Sequence, residues 1–338
     1  MMNSNLITDI WNTLASAEEV GLTKRRISVE SPLYVYGTYR YPDNLYGIAF
    51  SYDSSLIIPV DQFKSLKELV IMQMPDTSFE HRSLLLIQLH HTECLGVFAT
   101  LCSDLTSAVT REFSEKSALR IVLNQLEKWR TLFDRGLAAG LSPAEQQGLY
   151  GELHLLSRMI RRDSSDMAET VGYWVGCDKA MRDFQGENWA IEVKTTATNG
   201  SDRLMINGER QLDDALLDRL FLYHFSVEVS RKNGQTLNRE IEDLRKALAT
   251  DTIALHRFNT GLIHAGYFDD HASMYQDRCY KIRREQTYRI SGNFPRIVEK
   301  DLRNGVCNVS YTINISACEG YEVTDTDLFK MTIDHEGD

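Results

Sequence analysis

The feature that most narrows the fold is a change of hydrophobic period between residues 142 and 230. AEQQGLYGELHLLSRMI carries Leu149, Leu153, Leu156 and Ile160 at helical spacing, with Ser142 placed as N-cap and Glu145 three residues on. Strand-like GYWVG and AMRDF follow, then the turn QGEN and the strand WAIEVKTT. A further strand, RLMI, precedes a predicted helix through RQLDDALLDRL, and the apolar strand FLYHFSVEVS closes the series. Read coarsely the order is α-β-β-β-α-β, an α/β (α+β) core over about residues 141–232.

The flanks divide by the same signals. Residues 1–104 read as a strand-rich region: a helix at about 5–17, then PLYVYGTY, LYGIAFSY, LKELVIMQM, RSLLLIQLHH and CLGVFATLC as strands. Residues 105–140 hold a long helical connector, with apolar positions 119, 122, 123, 126, 129, 132 and 133. Residues 233–338 should add helices over about 236–265 and strands near 279–290 and 306–316. At 43% hydrophobic and 25% charged, with no apolar run of membrane length and no basic leader, the chain reads as globular and cytoplasmic, without a membrane. Its six cysteines are scattered and form no zinc or disulfide pattern. HHTEC at 90–94 reads as an ordinary strand histidine rather than a metal site.

The net charge of −11 argues against coating nucleic acid by charge alone, but it is unevenly spread. Between Arg278 and Arg303 eight Lys/Arg face three acids, and from Glu319 to Asp338 seven acids face one lysine. In the basic stretch Lys281, Arg283, Arg284, Arg289 and Arg296 interleave with Tyr280, Tyr288 and Phe294. That pattern suits a phosphate-tracking surface and equally a half-exposed strand.

Within WAIEVKTT, alternation puts Glu192 and Lys194 on one face, with Ile191 and Val193 on the other. Of the twelve lysines only Lys194 has an acid two residues before it. Asp183, near the close of the preceding hairpin, would lie beside that strand. Two converging carboxylates suit a hard divalent cation, and a neighbouring lysine can orient or deprotonate the attacking water. The bland alternative is a solvated ion pair worth little.

In this order of elements, with an acid before the strand and Glu-x-Lys on it, the chain resembles the PD-(D/E)XK nuclease superfamily, the restriction-endonuclease-like fold. GLYGELHLL, W-x-G, RDF, IEVKTT and a glutamine opening the next helix resemble, more narrowly, an uncharacterised bacterial family of that superfamily often encoded beside restriction and phage-defence genes. The resemblance implies Asp183 and Glu192 as metal-binding acids, Glu152 as a further metal ligand, and Lys194 as the residue that handles the water. Gln211 would touch substrate or water, against a reading as a surface glutamine. Arg182 stands where the family signature has proline; it would contact phosphate or point to solvent.

The resemblance further implies a Mg²⁺- or Mn²⁺-dependent DNA endonuclease, a phosphodiester hydrolase in restriction or anti-phage defence. Its partners would be DNA, a second copy in a homodimer, and proteins encoded by neighbouring defence genes. A catalytically silent interaction subunit and a nuclease acting on RNA remain open. The chain contains no P-loop, G-x-S-x-G or H-E-x-x-H motif.

Overall fold

A computed structural model describes residues 4–59, 68–90, 92–110, 112–135, 139–178, 180–197 and 202–334. The chain divides into two compact units, Met1–Gly140 and Leu141–Asp338. Among the described residues no helix is long and apolar enough to cross a membrane.

The first unit contains α1 (Ser4–Ser16), β1 (Gly21–Ile27), β2 (Tyr34–Tyr41), β3 (Leu45–Asp53), β4 (Leu69–Pro75), β5 (Arg82–Leu89), α2 (Leu95–Ala108) and α3 (Glu115–Arg135). Its antiparallel sheet runs β1-β2-β3-β5-β4. Helix α1 lies close on β2, where a Cβ on Gly37 would meet Ile10 Cγ2 at 2.6 Å, and Trp11 donates from its indole to the Gly47 carbonyl at 2.8 Å. CLGVFATLC, expected as a strand, is helical in α2. A short apolar run is ambiguous between a buried strand and a buried helix, and here Val97, Phe98, Leu101, Cys102 and Leu105 are all buried. His90 lies exposed just past β5, Thr92–Cys94 form a helical turn, and His91 falls outside the described residues. In α3 the expected Leu119, Val122, Leu126 and Trp129 are buried; the side chains of 132 and 133 lie outside the described residues.

The second unit contains α4 (Pro143–Arg162), α5 (Met167–Gly172), β6 (Phe184–Gln185), β7 (Trp189–Ala197), β8 (Arg203–Ile206), β9 (Arg219–Ser230), β10 (Gln235–Thr236), α6 (Leu237–Ala247) and α7 (Thr252–His264). Then come β11 (Cys279–Arg289), β12 (Tyr311–Asn314), β13 (Glu322–Val323) and α8 (Asp325–Lys330). The main sheet runs β10-β11-β9-β7-β6, with β7 and β9 parallel, while β8 and β12 pair separately. This is the α+β class read from the sequence. Ser142 and Glu145 form the expected capping box, each accepting the other's backbone N–H.

Two elements differ from expectation. GYWVG and AMRDF shrink to a single bridge, Trp174 to Phe184, and the two-residue β6. RQLDDALLDRL forms consecutive turns rather than a helix. Its leucines have helical spacing, yet Leu212 and Leu220 are buried while Leu216 is 95% exposed. Arg182 donates to the carbonyls of Arg210, Gln211 and Asp213. The segment's own amides close three-residue turns, Gln211 N–H to the Gly208 carbonyl, Asp213 N–H to that of Arg210 and Leu217 N–H to that of Asp214, rather than helical bonds.

The sheet's two faces have different jobs. Ile191, Val193, Tyr223, Phe225 and Val227 face a core shared with α4, α6 and α7. On the other face Ala190, Leu220, Leu222 and Tyr288 pack under the β8–β12 layer with Leu204, Ile206 and Ile313. That cover ends where Glu192 begins, so the polar half of this face coincides with the C-terminal ends of the parallel strands, the usual ligand end of such a pair.

The two glycines of α4 predict opposite outcomes. A Cβ at Gly151 would drive into Thr195 Oγ1 and stand 2.7 Å from Phe225 Cζ, whereas one at Gly148 meets nothing within 4 Å. Gly151→Ala should therefore cost roughly 1–3 kcal/mol by overpacking, and Gly148→Ala should gain up to about 1 kcal/mol of helix propensity. Denaturant unfolding of both variants checks this; a neutral Gly151→Ala would refute the close contact.

Candidate active site

Strand β6 pairs only Phe184 with Ile191 and Gln185 with Ala190, leaving the rest of β7 without a neighbour on that side. Two side chains finish the edge. Asp183 Oδ2 accepts the Val193 N–H at 2.7 Å, and Gln147 of α4 donates to the Thr195 carbonyl at 2.9 Å. Asp183 is thereby held beside Glu192, and its second oxygen is turned toward α4.

Glu152 enters from α4, where the Trp174 indole donates to its Oε2 at 2.7 Å. A Cβ on Gly176 would lie 2.9 Å from Asp183 Oδ1 and 3.1 Å from Glu152 Oε2. The W-x-G motif thus has a local cause: Trp174 supplies a donor, and Gly176 supplies the space in which two carboxylates meet. Trp174 and Trp189 are both buried, as expected of core residues.

Glu192 is 1% exposed, and its Oε1 accepts from Lys194 Nζ at 2.6 Å. Its Oε2 is buried with no hydrogen-bond partner. Lys194 Nζ also donates to Gln211 Oε1 at 3.4 Å, an oxygen that takes the Asn207 N–H at 2.9 Å as well. With Oε1 so occupied, the Gln211 amino group is the end left to offer a ligand. The structure therefore brings together Asp183, Glu192, Lys194, Glu152 and Gln211.

The charges are not balanced. Burial, then the neighbouring Asp183, pushes Glu192 up to about 8. Burial, then Asp183, raises Glu152 well above the carboxylate range, and burial raises Asp183 despite the Val193 amide. Each acid has one oxygen held by the protein, leaving Glu192 Oε2, Glu152 Oε1 and Asp183 Oδ1 for a ligand. Among the described residues no three acids, histidines or cysteines form a ready-made metal cage. The orphaned Glu192 oxygen and this crowding of buried acids fit a hard cation that keeps several waters and takes few protein ligands.

The basic residues separate into different roles. Arg182 donates to three carbonyls of the 210–213 turns, and Arg296 donates to the Leu212 carbonyl at 2.7 Å and to Asp214 at 2.9 Å. These two expected phosphate contacts clamp the loop that carries Gln211. Arg289 shares the register and face of Phe221, opposite the site, and Arg283 pairs with Glu228. Lys281 and Arg284 stand on the site's face. Tyr280, Tyr288 and Phe294 are buried in the cores rather than offered for stacking. Short Lys/Arg–aromatic alternation does not reveal which side of a strand faces a core. Sequence reading also missed His224, whose Nε2 lies 2.9 Å from Thr196 Oγ1 on the site's face.

Because the Glu192 pKa is raised, a cation must displace its proton at neutral pH. Mn²⁺ affinity should therefore climb as pH rises through about 8, with proton release on binding. Calorimetry in buffers of different ionisation enthalpy measures both; pH-independent affinity without proton release would contradict the assignment. Glu192→Gln should weaken the dependence, which the raised Asp183 and Glu152 share, and remove most of the affinity.

A comparison with family models matches residues 7–316 to a family described as "Putative PD-(D/E)XK family member, (DUF4420)". Comparisons with curated proteins and with solved structures gave no match. The match spans well over half of the chain, and the chain belongs to this PD-(D/E)XK family.

Proposed function

We propose that this protein is a Mg²⁺- or Mn²⁺-dependent endonuclease that hydrolyses phosphodiester bonds of DNA in the cytoplasm, in restriction or anti-phage defence. The observation that carries the reading is the buried, partnerless Glu192 oxygen beside Asp183, with Lys194 on the same face. The defence role rests on the resemblance to a family often encoded beside such genes. A homodimer would suit duplex cutting, which needs two active sites.

A divalent ion held by Asp183 and Glu192, with Glu152 behind them, would supply Lewis-acid polarisation of the scissile phosphate. The chain's own residues have separate tasks. Lys194 Nζ, held between Glu192 Oε1 and Gln211 Oε1, would orient the attacking water and exchange its proton. The Val193 amide and the Trp174 indole fix the rotamers of Asp183 and Glu152, so little reorganisation is left for the reaction. Arg182 and Arg296 keep the Gln211 loop in place from two sides.

Cleavage of plasmid and linear DNA in Mg²⁺ or Mn²⁺, wild type against Lys194→Ala and Asp183→Asn, tests the reading. Wild type should cut, and Lys194→Ala should be slower by roughly 10²–10⁴-fold. Equal cutting by all three would place the chemistry elsewhere. Cutting of RNA alone would replace DNA as substrate, and no cutting together with no Mn²⁺ uptake would favour a silent interaction subunit.

A further inference from the structure

The site's face continues past Lys194 as a polar row across three strands. Lys194 of β7 is level with His224 of β9, which is level with Gln286 of β11; one step on, Thr196, Ser226 and Arg284 are level. This alignment depends on an irregularity in β11. The register skips between Ile282 and Arg284, so Arg283 is an extra residue with no counterpart on β9. Before it, Tyr280 and Ile282 lie on the helix-facing side with Val229 and Val227; after it, Arg284 and Gln286 lie on the opposite side with Ser226 and His224. Bulges of this kind re-aim side chains near functional sites. Without it Arg284 would point at the core.

The groups so aimed have unspent capacity. Arg284 is exposed and has no acidic partner among the described residues, whereas neighbouring Arg283 is paired with Glu228. His224 is 0% exposed, and its Nδ1 is buried without a partner. Burial, then Arg284, pushes the ring down to about 4, so it is neutral and carries one N–H. Its Nε2 shares a hydrogen bond with Thr196 Oγ1. If Nε2 donates, the partly exposed Thr196 hydroxyl is left as a donor; if it accepts, the remaining donor is Nδ1–H, which is buried out of a ligand's reach. The tautomer that donates from Nε2 therefore leaves an accessible donor, the Thr196 hydroxyl, on the face that carries the free Arg284 guanidinium, a combination suited to a phosphate oxygen.

We propose that Thr196, Ser226 and Arg284, with the buried His224 orienting the Thr196 hydroxyl, form a second phosphate subsite, which holds a flanking phosphate of the polynucleotide and leads the strand across the sheet from β7 toward β11. The inference rests on the nuclease reading and adds the direction of the substrate and the residues that hold it.

The test is binding of short labelled duplex DNA, and of the same sequence as RNA, by fluorescence anisotropy over a range of salt. Ca²⁺ replaces Mg²⁺ so that binding is read without cleavage. Arg284→Gln should weaken binding and lower the slope of log K against log salt by about 0.9 for duplex DNA, the loss of one phosphate contact. Arg284→Lys should restore the slope, and Thr196→Val should weaken binding with the slope unchanged. Arg289→Gln, on the opposite face, is the control and should change neither. An unchanged slope in Arg284→Gln, an equal loss in Arg289→Gln, or no binding of either nucleic acid by wild type would overturn the subsite. Metal-dependent cleavage of plasmid DNA by wild type reports on the nuclease reading separately: no cleavage together with no Mn²⁺ uptake sinks that reading, and the salt slopes still decide whether this face holds a phosphate.

Discussion

The hydrogen bond from the Val193 amide to the Asp183 carboxylate is the contact around which the second unit is arranged. β6 covers only two residues of β7, so the strand would otherwise expose an unpaired amide next to a buried face. An acid at this position does two things with its two oxygens: Oδ2 completes the sheet edge and Oδ1 faces Glu152 across the space left by Gly176. A longer β6 would pair the edge by backbone alone and leave no reason for a carboxylate there. The short hairpin and the carboxylate at position 183 are consequences of one another.

The same end of the sheet concentrates charge where dielectric shielding is poor. Three acids share one lysine, and burial raises the pKa of each acid. A cluster arranged only for stability would pair its charges or replace them with apolar groups. Here the apolar layer built from β8 and β12 stops at Glu192, and polar groups take over along Lys194, Thr196, His224 and Ser226. The boundary between the two halves of the face sets where a ligand can approach.

Support for Lys194 comes from a loop rather than from a helix. Arg182 reaches three carbonyls of that loop, and Arg296 reaches a carbonyl and Asp214. Two backbone amides on Glu209 hold it as well, from Asn308 and Val309. A planar guanidinium can satisfy several acceptors at once, which a lysine ammonium on a flexible stem does less well. The loop's own backbone bonds close only short turns, and side chains from elsewhere add the rest, so Gln211 is held in position as a result.

The sequence alone determined the long helix of α4 with its capping box, the strand bearing Glu192 and Lys194 on one face, and Asp183 as their companion. These depend on period and local chemistry, which act over a few residues. It also marked Trp174 and Gly176 as a motif without saying what they do. Only the tertiary structure decided that CLGVFATLC is helical, that 210–220 is a clamped series of turns, and which basic residues face the site. It alone placed Trp174 on Glu152 and brought His224 beside Thr196. Each of those outcomes depends on groups far apart in the chain: a distant arginine holds three carbonyls of the 210–213 turns, and one extra residue in β11 reversed which side chains point to the core. Local periodicity carries no record of either.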